Sequence, residues 1–68
     1  MTPTPRQIGM KLKKLRKAKK LSRYALAQRA GISRVYVAKL ESGRSDPTVG
    51  MLQRIAKALG VPVTDLLS

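Results

Sequence analysis

The stretch from Leu21 to Gly43, LSRYALAQRAGISRVYVAKLESG, constrains the fold more than any other part of the chain. Leu26, Ala27 and Ala30 share one face of a helix by their spacing of one, three and four. Val37 and Leu40 do the same for a second helix. Between them, Ala30-Gly31-Ile32 leaves room only for a tight turn. Glycine is suited to that turn because it enters the left-handed region that ends many helices. Ser33 offers a hydroxyl to the first free amides of the second helix. Two helices crossing after so short a link nearly touch, so a small side chain such as Ala27 is needed at the crossing.

The remaining segments read as further helices. Thr4-Pro5-Arg6-Gln7 has the form of a helix start, with Thr4 as N-cap, Pro5 in the first turn and Gln7 closing a capping box. Ile8, Leu12 and Leu15 then form a narrow apolar stripe, in a helix expected to end at Leu21. Ser22 is placed to cap the second helix, and the third runs to about Ser42. Gly43-Arg44-Ser45-Asp46-Pro47 is a loop by composition. Thr48 caps a fourth helix whose apolar face is Leu52, Ile55, Ala56 and Leu59, with Gly60 as its stop. A last short helix is expected at about 62–67. The expected fold is all-α, a compact five-helix domain over residues 5–68 with a flexible arm at 1–4.

Composition then limits what such a domain does. Fifteen Lys and Arg stand against three acids, Glu41, Asp46 and Asp65, for a formal net charge of +12. An excess of this size attracts polyanions. There is no cysteine and no histidine, and three scattered carboxylates make neither a metal cage nor an acid–base pair. Neither catalysis, a metal nor a cofactor is expected. The first ten residues, MTPTPRQIGM, lack the apolar run of a signal peptide or membrane span. A cytoplasmic, nucleoid-associated protein is expected.

Two short helices about a Gly turn also occur in many small helical proteins, so the hairpin alone does not establish a helix-turn-helix. With every element in place, however, the chain resembles the lambda-repressor-like helix-turn-helix family, the XRE and Cro group. The matching pieces, in order, are Leu15-Arg16, Leu21-Ser22, Leu26-Ala27-Gln28-Arg29-Ala30-Gly31-Ile32-Ser33, Leu40-Glu41-Ser42-Gly43, Pro47 and the run from Leu52 to Val61. The resemblance covers nearly all of Ile8 to Leu67. It implies a five-helix bundle that binds double-stranded operator DNA, usually as a homodimer on a palindrome. The chain departs from the family where a Gln commonly starts the second helix, bonding both a phosphate and the recognition helix. Arg23 stands there, expected to grip phosphate, with the bracing role not carried over. Tyr24 and Ala25 replace usual acidic residues, and Lys20 stands where Gly or a polar residue is common.

The outward face of the third helix supplies the candidate base readers: Ser33, Arg34, Val35, Tyr36 and Lys39. Arg34, in the first turn, is placed for a bidentate bond to guanine O6 and N7, and Val35 for a thymine methyl. Lys39 is assigned to a second guanine or a phosphate, Tyr36 to phosphate or sugar. Phosphate contacts are expected from Arg23, Gln28, Arg44, Ser45 and the backbone amide of Gly43. The resemblance further implies a partly buried ion pair between Arg16 and Glu41, structural in role. Val63, Leu66 and Leu67 are candidate dimer contacts.

Seven of the chain's cations crowd between Lys11 and Lys20. A charge run of this kind is ordinarily a solvated face, and here it raises non-specific attraction to phosphate. It also suggests a nonspecific nucleoid or RNA binder. The chain carries only two aromatic residues, Tyr24 and Tyr36, few for stacking RNA bases. A membrane-active helix at 5–20 is disfavoured because it lacks Trp and Phe and its stripe belongs to the core. An antitoxin with a protein partner remains compatible with DNA binding.

Overall fold

The structure, a computed structural model, describes residues 2–68 and contains five α-helices and no strand among them. They are α1 (Pro5–Ala18), α2 (Arg23–Ala30), α3 (Arg34–Glu41), α4 (Val49–Leu59) and α5 (Thr64–Leu67). Four of the five starts are capped by a hydroxyl. Thr4 accepts from the Gln7 amide at 3.1 Å while Gln7 Oε1 accepts from the Thr4 amide at 2.8 Å, the reciprocal box the sequence indicates. Ser22, Ser33 and Thr48 accept from the amides of Ala25, Tyr36 and Met51. Each cap satisfies a donor that has no partner within its helix. Gly31 and Gly60, at φ of 70° and 72°, end α2 and α4 in the left-handed region.

α1 stops three residues before the expected Leu21. Lys19 is its C-cap, and Lys20 takes φ of 58°, the one positive φ outside glycine among the described residues. The Leu21 amide then returns to the Arg16 carbonyl at 3.1 Å. This αL turn swings the chain into α2, at a steric cost that a Cβ-bearing residue feels and glycine does not. α5 is likewise shorter than expected, because Val63 is already its N-cap and makes no side-chain capping bond.

Leu12, Leu26, Val37, Leu40, Ile55 and Leu66 are fully buried, one or more from every helix. α1 packs on α3 and α5, α2 on α3 and α4, and α4 on α5. Ala27, 2% exposed, sits in this core as the small residue the hairpin requires. Gly9 plays a similar part, unnoticed in the sequence. A Cβ there would come within 2.8 Å of the Glu41 carbonyl oxygen and closer still to that of Leu40. Gly9 is therefore what lets α1 lie against the end of α3. Thr2 to Thr4 line a groove with Leu66, Leu67 and Ser68, and Pro3 is half-buried; Met1 lies outside the described residues.

Candidate nucleic-acid interface

α3 turns Val37, Leu40 and Glu41 inward and leaves Arg34, Val35, Ala38 and Lys39 exposed, with Ser33 exposed at its start. Of the five positions expected to face outward together, Ser33, Arg34, Val35 and Lys39 do so; Tyr36 differs. Its ring is partly buried and packs against the core, so it stands at the edge of the exposed face rather than on it. Ala38 was not singled out in the sequence, yet it lies one turn from Arg34 and Val35. Its short side chain keeps the middle of the face low, allowing close approach of a partner surface.

Arg34 is not free in solution. Its guanidinium carbon lies 5.7 Å from the centre of the Tyr24 ring on α2, within range of a cation–π attraction. Tyr24 is held in turn, because its hydroxyl accepts from Gln28 Nε2 at 2.6 Å. A chain of contacts thus runs from Gln28 through Tyr24 to Arg34, linking the outer surfaces of α2 and α3. Tyr24 thereby joins the candidate face, which the sequence alone did not indicate. The i,i+4 spacing of Tyr24 and Gln28 was visible, but the approach of Arg34 depends on how the two helices cross.

Beneath the face lies a buried ionic cluster. Arg16 Nε donates to Glu41 Oε2 at 2.6 Å, and Arg16 Nη2 donates to Oε1 at 3.2 Å. A third bond, from Arg16 Nη1 to the Leu21 carbonyl, ties in the turn between α1 and α2. Arg23 Nε adds a bond to Glu41 Oε1 at 2.9 Å. Arg23 therefore does brace α3, the role that was not carried over to it. Its side chain remains 47% exposed, so it spans the ion cluster and the surface. Burial alone pushes the Glu41 carboxyl upward, but the hydrogen bonds and positive charges of Arg16 and Arg23 outweigh that and hold it below its usual value.

The other expected phosphate contacts divide. Arg44 is exposed and Ser45 half-buried just after α3. The Gly43 amide, by contrast, donates to the Leu40 carbonyl at 3.2 Å. It closes the turn that ends α3 and is not a free phosphate donor. Gly43 itself is required here by φ of 76° and by the Arg6 backbone, which a Cβ would meet at 2.9 Å. Arg54 is a further residue missed in the sequence. Its guanidinium donates to the Ala30 and Gly31 carbonyls at 2.8 and 3.2 Å, satisfying the end of α2 from α4.

The expected dimer contacts also change. Leu66 is 1% exposed and belongs to the core of its own chain, because α5 is too short to cover the bundle without it. Val63 is half-buried against that core, and Leu67 is 40% exposed. Val49, 71% exposed at the start of α4, is a further large apolar surface residue. Among the described residues, no group of His, Cys, Asp or Glu is arranged to hold a metal, and no helix is long and apolar enough to cross a membrane.

Comparison with known proteins agrees with this geometry. Residues 12–66 match the family model described as helix-turn-helix, HTH_3. The chain is 37% identical over 60 residues to the immunity repressor protein of Bacillus phage phi105, covering 88% of this chain and 42% of that protein. It therefore spans less than half the length of that relative. It is 35% identical over 63 residues to the control protein C.MunI of a Mycoplasma species, covering 91% of this chain and 85% of that one. In three dimensions it is similar to the restriction-modification controller protein C.AhdI of Aeromonas hydrophila. The TM-score is 0.89 at 32% identity, over 91% of this chain and 94% of the other.

Proposed function

The chain belongs to the XRE-type HTH_3 helix-turn-helix family, and from that premise we propose that it is a DNA-binding transcriptional regulator, a repressor or controller. It lays the helix at 33–42 in the major groove of a palindromic operator, two copies binding together. The observation that carries this reading is the exposed face of α3, polar and cationic, on a helix fixed from below by Glu41. A rigid element presenting Arg34, Val35, Ala38 and Lys39 matches what major-groove readout requires.

In this reading Arg34 bonds guanine, Val35 meets a thymine methyl, and Lys39 takes a second guanine or a phosphate. Ser33 and Tyr36 sit at the margins against sugar and phosphate. Arg23, Gln28, Arg44 and Ser45 hold the flanking backbone. Val63 and Leu67 border the contact between copies. The reading assigns no chemical reaction and no cofactor to the chain, and places it in the cytoplasm with the DNA it binds.

Selection from random duplexes at physiological salt, followed by footprinting, tests this function. Recovery of a motif with two inverted half-sites about one helical turn apart is the expected result. Enrichment of no motif, or a preference for RNA, overturns it.

A further inference from the structure

Tyr24 is a large aromatic residue that the core does not use. It is 53% exposed, while α2 buries Leu26, Ala27 and Ala30 instead. Its surroundings lie on the surface. With Arg23, Arg34, Val35 and Ala38 it lines one open cleft between the start of α2 and α3.

The two arginines of this cleft are held differently. Arg23 spends its Nε on the Glu41 carboxylate. Arg34 has no carboxylate, because both salt bridges among the described residues end on Glu41. Ala38, beside it in the cleft, is too short to restrain it. What holds Arg34 is the Tyr24 ring, whose centre lies 5.7 Å from the guanidinium carbon.

That difference has a chemical consequence. A guanidinium carries five N–H donors in a rigid fork. A carboxylate consumes such donors, whereas an aromatic face attracts the charge and consumes none. Arg34 is thus restrained while its fork stays open, and a bidentate bond to a guanine edge needs that fork. A long side chain already restrained loses less rotamer freedom on binding than one that swings freely. The restraint also opposes the swing by which a loose arginine settles for a phosphate instead of a base edge.

We propose that Tyr24 is a positioning residue for base recognition, its ring directing the Arg34 guanidinium at one base pair and strengthening the preference for guanine there. The inference rests on the reading above, in which Arg34 meets guanine. Tyr24 itself touches no base. Its hydroxyl, which accepts from Gln28 Nε2 at 2.6 Å, limits the ring's swing from the side away from Arg34's charge. The ring, not the hydroxyl, supplies the attraction.

The test is competition binding on the operator recovered with the parent, against duplexes changed at the base pair where Arg34→Ala relaxes preference. Tyr24→Leu keeps an apolar side chain but removes the π face. It should lower discrimination at that base pair by about two- to fivefold, the worth of an exposed cation–π contact. Preference at the other base pairs should hold. Tyr24→Phe keeps the ring and should stay within about 1.5-fold of the parent, below that worth. In the Arg34→Ala background, Tyr24→Leu should change nothing further. Proton NMR of the DNA-free proteins gives a second readout. The ring should shift the Arg34 side-chain signals upfield in the parent and in Tyr24→Phe, but not in Tyr24→Leu. The position is exposed and outside the core, and circular dichroism confirms folding.

Undiminished discrimination in Tyr24→Leu, or the same Arg34 signals in all three proteins, shows that Arg34 needs no ring to place it. A gain shows that ring and base compete for it. A uniform loss across sequences in Tyr24→Phe makes the hydroxyl a phosphate donor. A further change in the Arg34→Ala background means that Tyr24 meets a base directly. Each of these overturns the positioning role and leaves the regulator reading standing. A parent that recovers no motif sinks that reading, and this inference with it.

Discussion

Glu41 shows how much one residue can carry in a domain this small. Its carboxylate is bonded by Arg16 from α1 and Arg23 from α2, and it resides on α3, so three helices meet at one charge. Replacing it with Gln leaves Arg16 buried without its counter-ion, a change that costs about 3 kcal/mol or more when a buried pair is broken. A domain of this length holds roughly 3–10 kcal/mol in total. Thermal melts of Glu41→Gln should therefore show a fall of many degrees, and an unchanged melting temperature would contradict the role. The pH dependence has a definite sign. Because the folded carboxyl is held below its unfolded value, its stabilisation is complete above the ordinary Glu range, about 4.3. It is lost as pH falls through the lowered folded value, and Glu41→Gln should flatten that acidic limb. On the surface above, Arg34→Ala should weaken operator binding by about 2 kcal/mol and relax preference at one base pair. Competition binding against single-base operator variants measures both.

At the scale of elements, two backbone positions decide how the helices meet. Alanine is a better helix former than glycine by about 1 kcal/mol. Even so, Gly9→Ala should destabilise the fold by about 1–3 kcal/mol, since its methyl would press on the carbonyls of Leu40 and Glu41. Denaturant unfolding decides between the two effects, and a gain in stability would show that α1 can back away freely. Lys20 presents the opposite case. Its φ of 58° strains a residue with a side chain, so Lys20→Gly should raise stability by up to about 1 kcal/mol. A neutral or negative result in the same melts would mean the turn's strain is smaller than the entropy glycine adds to the unfolded chain. The caps needed no such three-dimensional knowledge. Thr4, Ser22, Ser33 and Thr48 each act on the amide three residues on, and their function was readable from the chain.

For the whole molecule, the proposed pairing of two copies must contend with a net charge of +12. Self-repulsion opposes dimerisation in solution, whereas a DNA duplex supplies the counter-charge. Apolar contact must then come from what the core leaves uncovered, and Leu67 at the C-terminal end is such a residue. Leu67→Glu should leave the melting temperature nearly unchanged while weakening cooperative binding to a two-half-site operator at least tenfold. Mobility shifts on one and two half-sites measure that cooperativity; loss on the single half-site as well would implicate folding instead.

The sequence by itself determined the five helices, the hydroxyl caps of four of them, the glycine stops of α2 and α4 and most apolar residues of the core, because these follow from patterns within a few residues. It also marked most of the outward face of α3, since helical period alone separates Arg34, Val35 and Lys39 from Val37 and Leu40. The tertiary structure alone decided which long-range partners meet. It gave Arg23 to Glu41, Arg34 to the Tyr24 ring and Arg54 to the end of α2. It also tied the Gly43 amide to the Leu40 carbonyl and took Leu66 into the core. The physical reason is the same in each case. A long charged side chain or a short terminal helix has several partners within reach, and only the crossing of the helices chooses among them.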